Sequence, residues 1–319
     1  MPETTPDTPR GPAAPLVSAD AVRGALADRG LGPDVCRALE VLDETHSTNA
    51  VAIEAVSGAP GGARPPSGAA VLARHQTRAR GRLERSWSAE PDSSILLSVI
   101  VRPETPAGAE RLGLVPLAAG AAVARSLRER VGLHAMTKWP NDVLIGGRKV
   151  AGVLCQAVTE PGGLAVVVGV GLNVRQTHEQ LPVATATSLA VELGAAAHAV
   201  LDDASELAAD LVAGILAAAQ AAMSAGDLGP VEAVMDTLGR RVRAELVADD
   251  PSRDVTGTAV GLDPSGGLML RTDSGELVTV HAGDVWHMRP EEAPRTGHND
   301  HPQAQPASDA PRTDSGGAA

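Results

Sequence analysis

A chain of 319 residues, 43% hydrophobic, is long enough for about two domains with real cores, and its net charge of −12 argues against general nucleic-acid or anionic-membrane binding. Phe and Tyr are absent and Trp occurs three times, so the core must be built from Leu, Val, Ile and Ala. Cys36 and Cys155 lie far apart, make no metal spacing and read as reduced thiols; with no run approaching a membrane span and no signal peptide, a soluble cytoplasmic protein is expected.

Residues 1–15 are rich in Pro, Thr and Ala without periodicity and are expected to be a disordered tail. Residues 18–29 predict a short helix with Ser18 as N-cap. Between it and Glu40 there is no room for a winged-helix DNA reader. A strand at 38–43 runs into Thr45-His46-Ser47-Thr48-Asn49, where the Ser47 or Thr48 hydroxyl can cap a helix reaching about Val56. A Gly/Pro loop at 58–68 and a buried strand at 69–74 follow. The apolar run 95–101 suits a strand covered on both faces. Residues 109–130 carry a helical stripe that includes Leu112, Val115, Ala119, Val123 and Leu127. A second buried strand is expected at 164–174, with helices at 204–223 and 230–238. From 239 to 289 short strands alternate with turns at 263–267 and 273–275, which reads as a small β-barrel, and 290–319 reads as a disordered tail.

Three stretches carry chemistry. In 138–152, KWPNDVLIGGRKVAG, the Gly146-Gly147 pair predicts a tight hairpin with Lys149 and Gly152 on its returning arm. A lysine entering an apolar strand must reach water or meet an anion. In 74–87 five arginines, Arg74, Arg78, Arg80, Arg82 and Arg85, crowd one segment of an acidic chain, with Glu84 as the one acidic residue among them. Guanidinium forks suit phosphate oxygens, and Gly81 lets the backbone approach a ligand. The alternative for this segment is a solvated basic loop. RNA binding is disfavoured by the overall charge and the lack of interleaved aromatics beyond Trp87. No phosphate-binding G-x-x-x-x-G-K-[ST] loop occurs, and Gly169-Val170-Gly171 lacks the third glycine of a dinucleotide fingerprint. Those glycines read instead as strand backbone forming a ligand wall, with Asn173 at its end. The Asn141 and Asn173 amides each offer a donor and an acceptor, so the pair could read the edge of a base or serve as turn residues.

In chain order the motifs Ser47-Thr48-Asn49, Gln76-Thr77 with Arg80-Gly81-Arg82 and Arg85-x-Trp87, Lys138-Trp139-Pro140-Asn141-Asp142, Arg148-Lys149-x-Ala151-Gly152, Gly169-x-Gly171-x-Asn173 and Ala186-Thr187-Ser188-Leu189 resemble those of biotin protein ligases (biotin–[acetyl-CoA-carboxylase] ligases) of the type without an N-terminal DNA-binding domain. The resemblance implies an α+β fold. A central mixed β-sheet flanked by helices (16–238), as in class II synthetase-like biotin/lipoate ligases, would be followed by an SH3-like C-terminal domain (239–289).

The same resemblance implies two steps. Biotin and MgATP give biotinyl-5′-adenylate and pyrophosphate, and the biotinyl group then moves to a lysine of a biotin carboxyl carrier domain of acyl-CoA carboxylases. Lys149 and Arg82 would be catalytic. Ser47, Thr48, Asn49, Gln76, Arg80, Gly81, Arg82, Lys149, Gly152, Gly169 and Gly171 would surround biotin. Arg82, Arg85, Trp87, Asn141, Lys149 and Asn173 would hold ATP and the adenylate, with Trp87 or Trp139 as an apolar flank; no protein metal site is implied beyond the Mg²⁺ that comes with ATP. Ala79 and Glu84 depart from the family's usual loop glycines, and alanine cannot take every backbone angle glycine can. Other readings are a lipoate-type ligase, which lacks the Trp-Pro-Asn-Asp run, and a non-catalytic biotin-binding or repressor relative.

Overall fold

In a computed structural model the described residues are 14–58, 64–82, 87–160, 163–194, 198–246, 250–281 and 284–287. Nearly all of both expected tails, and Glu84 and Arg85, lie outside them.

The first unit is built on a seven-stranded sheet. Its strands are β1 (Glu40–Thr45), β2 (Ala70–Gln76), β3 (Ser94–Val101), β4 (Ala135–Lys138), β5 (Asp142–Ile145), β6 (Arg148–Glu160) and β7 (Gly163–Asn173), in spatial order β1-β2-β3-β7-β6-β5-β4. The β1–β2 pair is parallel and the other pairs are antiparallel, so the sheet is mixed. Every residue of β3 is buried, as its unbroken apolar run requires. Helix α1 (Ala19–Asp28) begins where Ser18 accepts a hydrogen bond from the Ala21 amide, and a short α2 (Pro33–Arg37) follows it. On one face of the sheet, α3 (Thr48–Ser57) places Ala52 and Val56 against Val71, Ile100 and Val167. The opposite face carries the largest apolar cluster, in which α5 (Val115–Ser126) and α8 (Ser205–Ala225) pack on each other and α1 covers α8.

Several expected helices differ. The stretch 109–130 is not one helix but α4 (Pro106–Glu110), a 3₁₀ turn at Leu112–Leu114, α5, and a π turn at Leu127–Val131. A Cβ at Gly113 would lie 3.0 Å from the Ser265 carbonyl, and Pro116 restarts the helix in its first turn. The stripe itself is as expected, with Val115, Ala119, Val123 and Leu127 fully buried. The helix expected at 230–238 shrinks to α9 (Gly229–Glu232), because the next residues pair with the edge strand β4. There Thr137 donates its amide to the Val234 carbonyl (2.7 Å) and Asp236 to Thr137 (2.8 Å). Short α6 (Leu189–Leu193) and α7 (Ala199–Asp202) were not expected. Helix α8 also corrects the expectation that no run reaches membrane-span length: it has 21 residues, and an 18-residue stretch of it has a mean hydropathy of 1.6. Here Leu207, Leu211, Val212 and Ile215 are buried in the core, and Asp210 pairs with Arg29 and Arg130 at 2.6 Å.

The second unit is a five-stranded antiparallel sheet of β8 (Arg241–Glu245), β9 (Val255–Leu262), β10 (Leu268–Arg271), β11 (Leu277–Val280) and β12 (Asp284–His287), in spatial order β11-β10-β9-β8-β12. The expected barrel is not closed: β11 and β12 remain the two edges, with no pairing between them among the described residues. The turn at 263–267 forms because the Asp263 carboxylate accepts from the Ser265 and Gly267 amides, both at 2.8 Å. Val242, Ala244, Ala259, Leu268 and Leu270 share one apolar cluster with Leu117, Ala121 and Trp139 of the first unit. The Trp139 indole donates to the Gly266 carbonyl at 3.0 Å. The two sheets therefore have a common interior at this point.

Candidate active site

The β5–β6 hairpin turns at Gly146 (φ 55°) and Gly147 (φ 79°), the left-handed pair a two-residue turn demands. Val143 opposes Ala151 while Leu144 opposes Lys149, so Val150 is an extra residue in β6. Such a bulge re-aims the neighbouring side chain. Lys149 Nζ lies 2.6 Å from Asp142 Oδ1 and 5.8 Å from the centre of the Trp87 ring, within cation–π range.

Beneath these groups lies a glycine floor. Gly152 pairs with Gly171 across β6 and β7, and Gly169 shares the Gly171 face by the two-residue strand period. A Cβ at Gly171 would lie 2.7 Å from Trp87 Cε2, and one at Gly152 3.3 Å from Lys149 Nζ. A Cβ at Gly169 would lie 2.1 Å from Asn49 Oδ1, so only glycine admits the Asn49 amide. The sequence reads these glycines as strand backbone forming a ligand wall; in the structure the groups that approach Gly169 and Gly171 are the Asn49 and Trp87 side chains.

At the start of α3 the geometry differs from expectation. Ser47 is the N-cap residue but makes no side-chain capping bond. Gln76 supplies the cap, its Oε1 accepting from the Thr48 amide at 2.7 Å and lying 3.3 Å from the Thr48 hydroxyl. The Ser98 hydroxyl donates to Asn49 Oδ1 (2.6 Å) and lies 2.8 Å from Thr48 Oγ1. Asn49 Nδ2 donates to the Leu154 carbonyl (3.2 Å) and to Gln156 Oε1 (2.8 Å). Thr48 and Asn49 are thus buried and engaged with protein, while Ser47 stays partly exposed. Ser98, Gln156 and Asp142 were missed as site residues. The signal for Ser98 was visible: it is the one polar residue in the apolar run 95–101.

The arginine segment forms the other side. Arg78 and Arg80 are exposed, Gly81 and Arg82 are half-buried, and Arg85 is outside the described residues. Ala79 is buried and does not take a positive φ, so the substitution of a usual loop glycine costs no backbone strain there. Arg82 Nη1 reaches Asn141 Oδ1 at 3.4 Å, and Asn141 is fixed by its Nδ2 donating to the Val153 carbonyl at 2.8 Å. Both border a cleft of about 410 Å³ running between the two sheets, with Leu117, Leu154, Gly266 and His281 on its other walls. Cys155 also borders it; the residue keeps some exposed surface, yet desolvation pushes its thiol up to about 12, so it is no thiolate at neutral pH.

Two expected ligand-facing residues are turned elsewhere. Asn173 is buried, donating Nδ2 to the Thr187 carbonyl (2.9 Å) and accepting from Gln176 Nε2 (3.2 Å). Trp139 gives the cleft only an edge, since most of its ring packs into the cluster shared with the second sheet.

Comparison with known proteins shows the family of the chain. Residues 45–173 match the model of the biotin/lipoate A/B protein ligase family, and residues 237–288 match that of the biotin protein ligase C-terminal domain. The biotin–[acetyl-CoA-carboxylase] ligase of Mycobacterium tuberculosis is 39% identical over 86% of this chain and 100% of its own length. That of Paracoccus denitrificans is 32% identical over 77% of this chain and 99% of its own. A biotin protein ligase from Aquifex aeolicus, solved in complex with biotin and ATP, superposes with a TM-score of 0.61 at 26% identity, covering 78% of this chain and 99% of that one. The glycine floor, the β5–β6 lysine and the arginine segment are accordingly those of a member of the biotin/lipoate protein ligase family, to which this chain belongs.

Proposed function

We propose that this chain is an ATP-dependent biotin protein ligase, with residues 16–238 as its catalytic unit. The observation that carries the reading is the meeting of Lys149, Trp87 and Asn49 over a floor of three glycines, beside a cleft bordered by Arg82. The match of residues 237–288 to a biotin ligase C-terminal model favours biotin over lipoate.

In the first step a biotin carboxylate oxygen attacks the α-phosphorus of ATP, the bond to the bridging oxygen breaks, and pyrophosphate leaves with the electron pair. Two anions must approach each other, so cations at the phosphorus lower the barrier. Lys149 exchanges its Asp142 contact for the biotin carboxylate and α-phosphate, while Arg82, beside Arg80, holds the phosphates. Ser47 and Gln76 meet the ureido ring, and Thr48 and Asn49 set the shape of its pocket. Asn141 and Trp87 border the nucleotide. In the second step a neutral lysine amine of a biotin carboxyl carrier domain attacks the acyl carbon. AMP departs with the C–O electron pair and the amine gives up a proton. Mg²⁺ would neutralise phosphate charge. Such an ion is carried chiefly by substrate phosphates, with Asp142, now beside Lys149, the carboxylate at hand.

The test is incubation with biotin, MgATP and a purified carrier domain, read by avidin blot, with lipoate in a parallel arm. ATP-dependent biotinylation that Lys149→Ala abolishes is expected. Transfer of lipoate in place of biotin, or unchanged transfer by the variant, overturns the assignment.

A further inference from the structure

The aim of Lys149 depends on more than its own strand. Its amide donates to the Thr185 carbonyl and its carbonyl accepts from the Thr187 amide, both at 2.8 Å, forming an isolated parallel bridge with Ala186. Lys149 thus commits both its backbone amide and its carbonyl to this bridge, while on its other side it opposes Leu144 of β5 next to the Val150 bulge. One carboxylate fastens the bridge. Glu192, in α6, accepts from the Thr187 hydroxyl at 2.5 Å and from Arg148 Nη2 at 2.9 Å. It thereby ties the segment beside Lys149 to the residue preceding Lys149. The side chain of Glu192 is only 13% exposed and Thr187 is fully buried, so the Thr187 bond is shielded from water, while Arg148 keeps 39% of its side chain exposed. Behind it, Asn173 holds the Thr187 carbonyl, and the Ser188 hydroxyl donates to the Gln176 carbonyl at 2.6 Å.

We infer that Glu192 is a positioning residue for Lys149, closing a clamp of Arg148, Thr187 and Asn173 that fixes the ammonium over the glycine floor. The inference builds on the ligase reading above, since what Lys149 contacts in the reaction comes from it. Glu192 touches no substrate. Its loss leaves the biotin pocket intact and lets the lysine drift, and a displacement of an ångström is costly for a step that depends on alignment.

The test pairs two measurements on the full chain carrying Glu192→Ala, Glu192→Gln or Thr187→Val. Hydrogen exchange reads protection of the Lys149 amide. Single-turnover kinetics at saturating biotin and MgATP read adenylate formation, beside biotin affinity by titration. For Glu192→Ala, loss of Lys149 amide protection and a fall of about tenfold or more in adenylation are expected, with biotin affinity changed less than about threefold. Glu192→Gln, which still accepts from Thr187, recovers most of the rate, and Thr187→Val falls between. Wild-type protection and rate in Glu192→Ala overturn the inference, as does a rate loss matched by equal loss of biotin affinity or of folded protein. If the unaltered chain makes no adenylate from biotin, the ligase reading fails, and the exchange measurement still decides whether Glu192 holds Lys149.

Discussion

The two sides of the site are built on opposite plans. The floor side is finished within the protein: Thr48, Asn49 and Ser98 are buried, hydrogen-bonded to one another, and fitted against glycines that leave no spare volume. The rim side presents charge outward at the exposed Arg78 and Arg80, while Arg82 is half-buried and reaches Asn141 at 3.4 Å. On the proposed reading, the neutral ring system of biotin is met by a fixed wall, and its carboxylate is left to the cations. Phosphates carry their own charge, and fixing several guanidinium groups together without them would be repulsive, so that half is left for the ligand to complete. Trp87 belongs to both plans, lying on the floor at Gly171 while its chain position is in the rim.

The contrast can be broken or sharpened by substitution. The largest effect is expected for Arg82→Met. Adenylation should fall about a hundredfold, the scale of losing one transition-state donor, while biotin affinity and melting temperature stay near those of the unaltered protein. A parallel fall in biotin affinity would mean that rim and floor are one unit. Gly169→Ala should do the reverse. Its methyl meets an Asn49 held by three hydrogen-bond partners, so about 1–3 kcal/mol of stability should be lost, together with biotin binding, in denaturant melts and titration. The same change one pleat away, Gly171→Ala, meets the Trp87 ring first, at 2.7 Å, and that side chain can yield more readily than the thrice-bonded Asn49. There the stability loss should be under about 1 kcal/mol, with the main change in nucleotide affinity.

The smallest effect concerns Asp92, paired at 2.6 Å with Arg74, the first arginine of the basic segment. Burial opposes its ionisation, but Arg74, the Leu16 amide and Arg175 outweigh that and hold the carboxyl below the usual range. The stability it contributes is therefore present above its unfolded value, about 3.9, and is lost as pH falls through the lower folded value. Asp92→Asn should be less stable than the unaltered protein at neutral pH and converge with it in strong acid, read by melting temperature across pH. Asparagine tolerates the φ of 57° found there, so the backbone should hold.

The sheet, the hairpin and the glycine wall were legible because each leaves a local mark: an apolar run at 95–101, a Gly-Gly turn, two glycines inside a strand. What stayed hidden depends on partners distant in sequence. Nothing near Ser47 announces that Gln76 takes over its capping role, and nothing near Asn173 shows that Thr187 and Gln176 occupy its amide. The segment at 230–238 has helical composition, but the exposed edge of β4 competes for its backbone and wins. Likewise, the apolar content of α8 could be counted, but only the packing shows it as the shared wall of α1 and α5.

Trp139 has a consequence for how this molecule can be taken apart. Its indole is bonded to Gly266 and enclosed by residues of both sheets, two positions ahead of Asn141 and ten ahead of Lys149. Cutting the chain after residue 238 would strip the cover from a tryptophan in the very ribbon that carries Lys149. Grafting the tail unit of one relative onto another would therefore be a transplant of hydrophobic interior, in which side-chain volumes at the seam must be matched before any question of specificity arises.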